Sequence, residues 1–135
     1  MKVSIGNPAG VPAPAGPYSH VARVDVGGGS LLFLAGQVAV DDEGNVVGEG
    51  DMTAQAERTF QIIESILAGH GATFDNVVHV RTFLTDMSMR SEYGNVRARY
   101  FRGTPPASTT VEVSGLFRPG LVIEIEITAA VPAGG

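Results

Sequence analysis

The chain has 135 residues, nine basic and fourteen acidic side chains for a formal charge of −5, 44% hydrophobic residues and no cysteine. That length suits a single domain over residues 1–135, while the missing thiols exclude disulfides, thiolate catalysis, iron–sulfur clusters and cysteine-bound zinc. The acidic balance, with Lys2 the single lysine, argues against a nucleic-acid partner, and no apolar run approaches the roughly 20 residues that span a bilayer. Met1–Pro17 lacks the apolar stretch of a secretory signal, so a cytoplasmic location is expected.

Residues 1–15, rich in Gly and Pro, read as an irregular lead-in, and residues 132–135 as a frayed tail. Alternation predicts a strand over Tyr18–Val26, a turn at Gly27-Gly28-Gly29-Ser30 and a second strand over Leu31–Val38. Leu31-Leu32-Phe33-Leu34-Ala35 is apolar on both faces, which implies cover on both sides. Two helices can supply one cover, and the other then requires a partner subunit. Asp51 is a good N-cap for a helix over Met52–Leu67, where Ala56, Phe60, Ile63 and Leu67 share one face, and Gly69 and Gly71 end it. A β-branched strand follows over Val77–Leu84, with Val78, Val80, Thr82 and Leu84 on one face. A second helix is expected from Ser88 as N-cap to Phe101. Ala107–Ser114 and Leu121–Val131 complete the order ββαβαββ. That order describes an α+β fold, a mixed sheet with two helices packed on one face.

Several groups of residues could carry chemistry. Glu124 and Glu126 alternate with Ile123, Ile125 and Ile127, so both carboxylates lie on one strand face, about 7 Å apart. They fit acid/base work at a cleft or a solvated strand face, and pattern alone leaves both open. Ser108, Thr110, Glu112 and Ser114 form a polar strip on the preceding strand, suited to a small polar ligand or simply to a wet face. His20, His70 and His79 have no metal-site spacing, and no metal is expected. Arg90, Arg97, Arg99 and Arg102 load the second helix; in an acidic chain they suit solvent or an interface better than phosphate.

Taken together, several segments resemble the Rid family, the reactive intermediate deaminases, formerly known as L-PSP endoribonucleases. They are Gly16-Pro17-Tyr18-Ser19, Leu34-Ala35-Gly36-Gln37, Gln55…Ile66, Thr82-Phe83-Leu84-Thr85-Asp86-Met87, Pro106-Ala107 and Ile123-Glu124-Ile125-Glu126. The resemblance implies a chorismate-mutase-like ββαβαββ fold and a homotrimer that binds a small molecule in its intersubunit clefts. It also implies cofactor-independent hydrolysis of enamines and imines, such as 2-aminoacrylate, to a 2-keto acid and ammonia. Carried over by position, Glu124 is the residue that handles water, and Tyr18 and Gly36 line the pocket. The family's carboxylate-binding Arg falls at Ser108, with Thr110 close by in the same strip. This chain therefore resembles an Arg-lacking branch, which implies a C=N substrate other than 2-aminoacrylate. The missing Arg also leaves room for another reading, a non-catalytic trimer that binds a metabolite or a pathway partner.

Overall fold

Strict alternation over Ile123–Pro132 (β6) organises the architecture: Ile123, Ile125, Ile127, Ala129 and Val131 are buried, and Glu124, Glu126, Thr128 and Ala130 between them are half-buried. A strand of this kind belongs in the middle of a sheet with one face on the core. In the computed structural model, which describes residues 1–133, β6 lies between Gly29–Leu34 (β3) and Val77–Leu84 (β4), antiparallel to both. Outward from β3 come Val21–Asp25 (β2) and Lys2–Gly6 (β1), each antiparallel to its neighbour. Ala107–Glu112 (β5) runs parallel to β4 at the other edge. The six-stranded order is β1-β2-β3-β6-β4-β5, a mixed sheet.

Met52–Ala68 (α1) and Arg90–Tyr100 (α2) cover one face. Asp51 caps α1 by accepting from the Ala54 amide at 3.1 Å. Phe60, fully buried on α1, lies at the centre of an aromatic cluster with Phe74, Tyr93, Tyr100 and Phe101 at ring separations of 4.8–6.3 Å. These edge-on and offset contacts join both helices to the core. Gln55 is buried yet fully used: Nε2 donates to the Gly48 and Gly120 carbonyls, and Oε1 accepts from the Val122 amide. It ties α1 to the start of β6.

The expected α+β fold with two helices on one sheet face is present, with several corrections. Lys2–Gly6 is a strand where a lead-in was expected; it is exposed throughout and held by its ladder to β2, so it shows no burial pattern. Pro132 pairs with Gly29 inside β6 and is not tail, while residues 134–135 lie outside the described residues. The β2–β3 turn is tighter than expected, with Gly27 at φ +91° and Val26 N–H donating to the Gly29 carbonyl. The second strand ends at Leu34; beyond it Gln37 alone bridges to Ile125. Ser88 caps nothing, because Asp86 accepts from the Ser88 amide and starts a short 3-10 turn, Met87–Met89, before α2. Val78 leaves the face expected for it, since the register slips between Val77 and His79 and turns its side chain outward.

The sheet's second face has no cover from the described residues. Register places Val3 and Ile5, Ala22 and Val24, Leu31 and Phe33, Phe83 and Val111 on it. Phe33 is 46% exposed and Ile5 67%. The doubly apolar Leu31–Leu34 run is thus seen directly, with Leu32 and Leu34 in the core and Leu31 and Phe33 facing away from it.

Candidate functional site

Glu124 stands on the uncovered face, opposite Phe83 of β4. Its carboxylate rests on Gly36, where an added Cβ would collide with Oε2. Burial, reinforced by the negative charge of Glu126, raises its pKa above the ordinary glutamate value, and no donor offsets that. Glu126 differs although it is two residues away: Arg81 Nε lies 3.0 Å from its Oε2, at ion-pair distance but outside hydrogen-bond geometry. One strand therefore carries two carboxylates in different surroundings, Glu126 beside a guanidinium and Glu124 against a glycine, and the raised proton affinity of Glu124 suits it to proton transfer.

Gly36 also opens onto a cavity of about 220 Å³ lined by Tyr18, His20, Gln37, Phe117 and Arg118 among others. Tyr18 is held in its turn by backbone bonding to Gly16, and its hydroxyl accepts from the Ala15 amide at 3.2 Å. His20, 4% exposed, fastens this segment to the sheet. Its Nδ1 accepts from Gln37 Nε2 at 3.1 Å, which puts the proton on Nε2, 2.6 Å from the Pro12 carbonyl. The structure thus brings Tyr18, Gly36 and Glu124 to adjoining surfaces, with Gly36 as the hinge: Tyr18 on the cavity side and Glu124 on the open sheet face.

Ser108 and Thr110 do not join them within one chain. Ser108 pairs with Val80 and Thr110 with Thr82, both buried under the helices, so the two hydroxyls belong to the helix-bearing face. Ala107, Thr109 and Val111 are the β5 residues that share the Glu124 face, with Val111 in line with Phe83 and Glu124. Within one chain β4 separates the hydroxyl strip from Glu124 and the two lie on opposite faces, so the intersubunit pocket expected for them would have to draw on two subunits. Ser108 Oγ instead accepts from Arg97 Nη1 at 2.8 Å. Sequence reasoning also missed Arg81, Tyr93 and the His20–Gln37 pair. Arg81 alternates with the buried Val80 and Thr82, which was the one signal available for its facing.

His79 lies on β4 beside Thr128, and His70 follows α1, where Arg23 donates to its carbonyl at 3.2 Å. Among the described residues no group of three metal-ligating side chains converges, and no helix is long and apolar enough to cross a membrane.

A profile of the endoribonuclease L-PSP family matches residues 9–131. Protein DfrA of Myxococcus xanthus is 41% identical over 118 residues, which make up 87% of this chain and 88% of that protein. The crystal structure of yeast YEO7 superposes with a TM-score of 0.87 at 33% identity, covering 96% of this chain and 99% of the other. The Yersinia pestis protein YyfA, of unknown function and assigned to the conserved Rid family, gives a TM-score of 0.85 at 32% identity over 96% and 100% of the two chains. Similarity this extensive, in sequence and in sheet and helix arrangement alike, means that the chain belongs to the L-PSP/Rid family and has its fold.

Proposed function

We propose that this protein hydrolyses a reactive enamine or imine to a carbonyl compound and ammonia, without a cofactor. The observation that carries this reading is Glu124, a half-buried carboxyl with a raised pKa, seated on a glycine beside a cavity. A proton is added to the enamine β-carbon, and the C=C electron pair forms that C–H bond while the nitrogen lone pair makes C=N. Water then attacks the imine carbon as the Glu124 carboxylate takes its proton, and the C=N π pair moves to nitrogen. Glu124 returns the proton to nitrogen, the C–N bond breaks with its electron pair leaving on ammonia, and the hydroxyl oxygen forms the carbonyl as its proton passes to solvent, which replaces the solvent proton added to the β-carbon. A raised pKa suits this exchange, because it brings the carboxyl's proton affinity closer to working pH.

The reading includes a homotrimer with the substrate in its intersubunit clefts. Two features support it. The apolar face bearing Val3, Ile5, Phe33 and Val111 is uncovered in one chain. Ser108 and Glu124 lie on opposite faces, so a site that uses both requires β5 of one subunit to approach Glu124 of another. Neutral Ser108 stands where the family resemblance places a carboxylate-binding Arg, and this disfavours 2-aminoacrylate as substrate. The same substitution favours a second reading, a trimer that binds a metabolite without turning it over.

The two readings separate in one assay. Imines generated in situ from a panel of amines and amino acids by an oxidase should release carbonyl product faster with the protein than without it. A rate equal to spontaneous hydrolysis across the panel, with measurable ligand binding, would establish the binding reading instead.

A further inference from the structure

Arg97 differs in its contacts from Arg99 and Arg102, its neighbours at the C-terminal end of α2. Arg99 Nη1 lies 2.9 Å from Glu57 Oε1, and Arg102 Nε donates to the Arg99 carbonyl at 3.0 Å. Among the described residues Arg97 has no carboxylate at ion-pair distance, although the chain has fourteen acidic side chains. Its Nη1 donates to two neutral hydroxyls, Tyr93 Oη at 3.0 Å and Ser108 Oγ at 2.8 Å. The guanidinium carbon sits 5.3 Å from the Phe101 ring centroid and 6.0 Å from that of Tyr93. Tyr93 is in turn fixed by a 2.6 Å hydrogen bond to Thr82 Oγ1, and both residues are buried, 3% and 1% exposed.

Thr82, Tyr93, Arg97 and Ser108 thus form a chain of neutral contacts that ends in a positive charge at the β5 edge. Stacking and hydrogen bonds orient the guanidinium in advance, so little order is lost when an anion arrives. Nε and Nη2 have no hydrogen-bond partner among the described residues and remain free to donate in the forked geometry that fits a carboxylate. Ser108 accepts from Arg97, which leaves its own O–H free to donate to the same ligand.

We propose that Arg97 and Ser108 form an anion subsite for a planar, singly charged carboxylate. A single guanidinium with one hydroxyl balances one charge, and the nearby Arg99 and Arg102 are otherwise engaged, so a dianionic phosphate lacks its second cation. The proposal deepens the C=N-hydrolase reading and rests on it for the substrate class: an imino or enamino acid whose carboxylate is held from the helix layer.

The test is calorimetric titration with 2-oxovalerate, its uncharged amide 2-oxopentanamide and inorganic phosphate as probes. Wild-type protein should bind the acid more tightly than either the amide or phosphate. Arg97→Gln should weaken acid binding about 10- to 100-fold and leave the amide unchanged, with Arg97→Lys in between. If Arg97→Gln does not fold, the acid-to-amide preference of Arg97→Lys decides, and it should be smaller than in wild type. Equal binding of acid and amide by wild type, tighter binding of phosphate, or unchanged acid binding in the variants overturns the proposal. Loss of acid binding in Arg97→Gln, with no C=N hydrolysis by wild type, keeps the subsite and removes the deaminase reading. Hydrolysis that needs Glu124, with acid binding unchanged in Arg97→Gln, does the reverse.

Discussion

Gly36 owes its identity to a side chain and not to its own backbone. Its φ is not in the left-handed region, yet a Cβ there would collide with Glu124 Oε2. The obstacle is the end of a flexible side chain, so Gly36→Ala should fold, with a stability change within about 1 kcal/mol. The carboxylate must move, however, and hydrolysis should fall about tenfold or more, because misplacement by an ångström is costly to catalysis. Thermal unfolding beside the carbonyl-release assay checks both halves. Glu124 also makes a statement about pH. Its folded pKa is raised, so between its ordinary value of 4.5 and that raised value the folded state holds more proton than the unfolded one. Its contribution to stability therefore falls as pH rises through this window, the reverse of a salt-bridged carboxylate. Glu124→Gln removes the group, and its gain in melting temperature over wild type should be larger at pH 7 than at pH 4. An equal gain at both values contradicts the assigned environment.

At the scale of elements, Gln55 on α1 fixes the approach to β6 through three hydrogen bonds, the one to the Val122 amide buried. Gln55→Leu keeps the volume but strands the Val122 amide, whereas the Gly120 and Gly48 carbonyls keep the Gly50 and Asp51 amides, so the cost is about 1–3 kcal/mol. Chemical denaturation should show this as a lower midpoint with an unchanged slope. α1 and β6 were legible in the sequence because each buries one face, and burial imprints a period of 3.6 or 2. β1 was not legible, because Lys2–Gly6 buries nothing and is held by backbone bonds that any side chains permit. The alternation of Glu124 and of Ser108 along their own strands was equally plain. Their relation was not: it depends on the register that links β5 to β4 and β4 to β6, which no local pattern encodes. The contact between Arg97 and Ser108 was hidden for the same reason. Helical spacing shows that Arg97 lies on a different side of α2 from Arg99, but only tertiary packing sets it against β5.

Across the whole molecule, one sheet face is under helices and the other carries Val3, Ile5, Phe33 and Val111 in the open. Exposed apolar surface of this extent marks an interaction site. Light scattering behind a sizing column should give about three times the 14.0 kDa chain mass; a monodisperse monomer at micromolar concentration would contradict the shared site. The family's older endoribonuclease label finds little support in a chain of charge −5 with one lysine. Nuclease-free preparations should neither cleave RNA above buffer level nor bind it near physiological salt. The central claim is that Glu124 moves the proton of the attacking water. It is tested most directly by the rate of keto-acid release from freshly generated imino acids as a function of pH, for wild type and Glu124→Gln, each corrected for spontaneous hydrolysis. The wild-type rate should rise with a pKa above the ordinary glutamate value, and Glu124→Gln should lose about 10²–10⁴-fold and that pH dependence with it. A Glu124→Gln trimer that turns over as fast as wild type, with the same profile, would contradict the account.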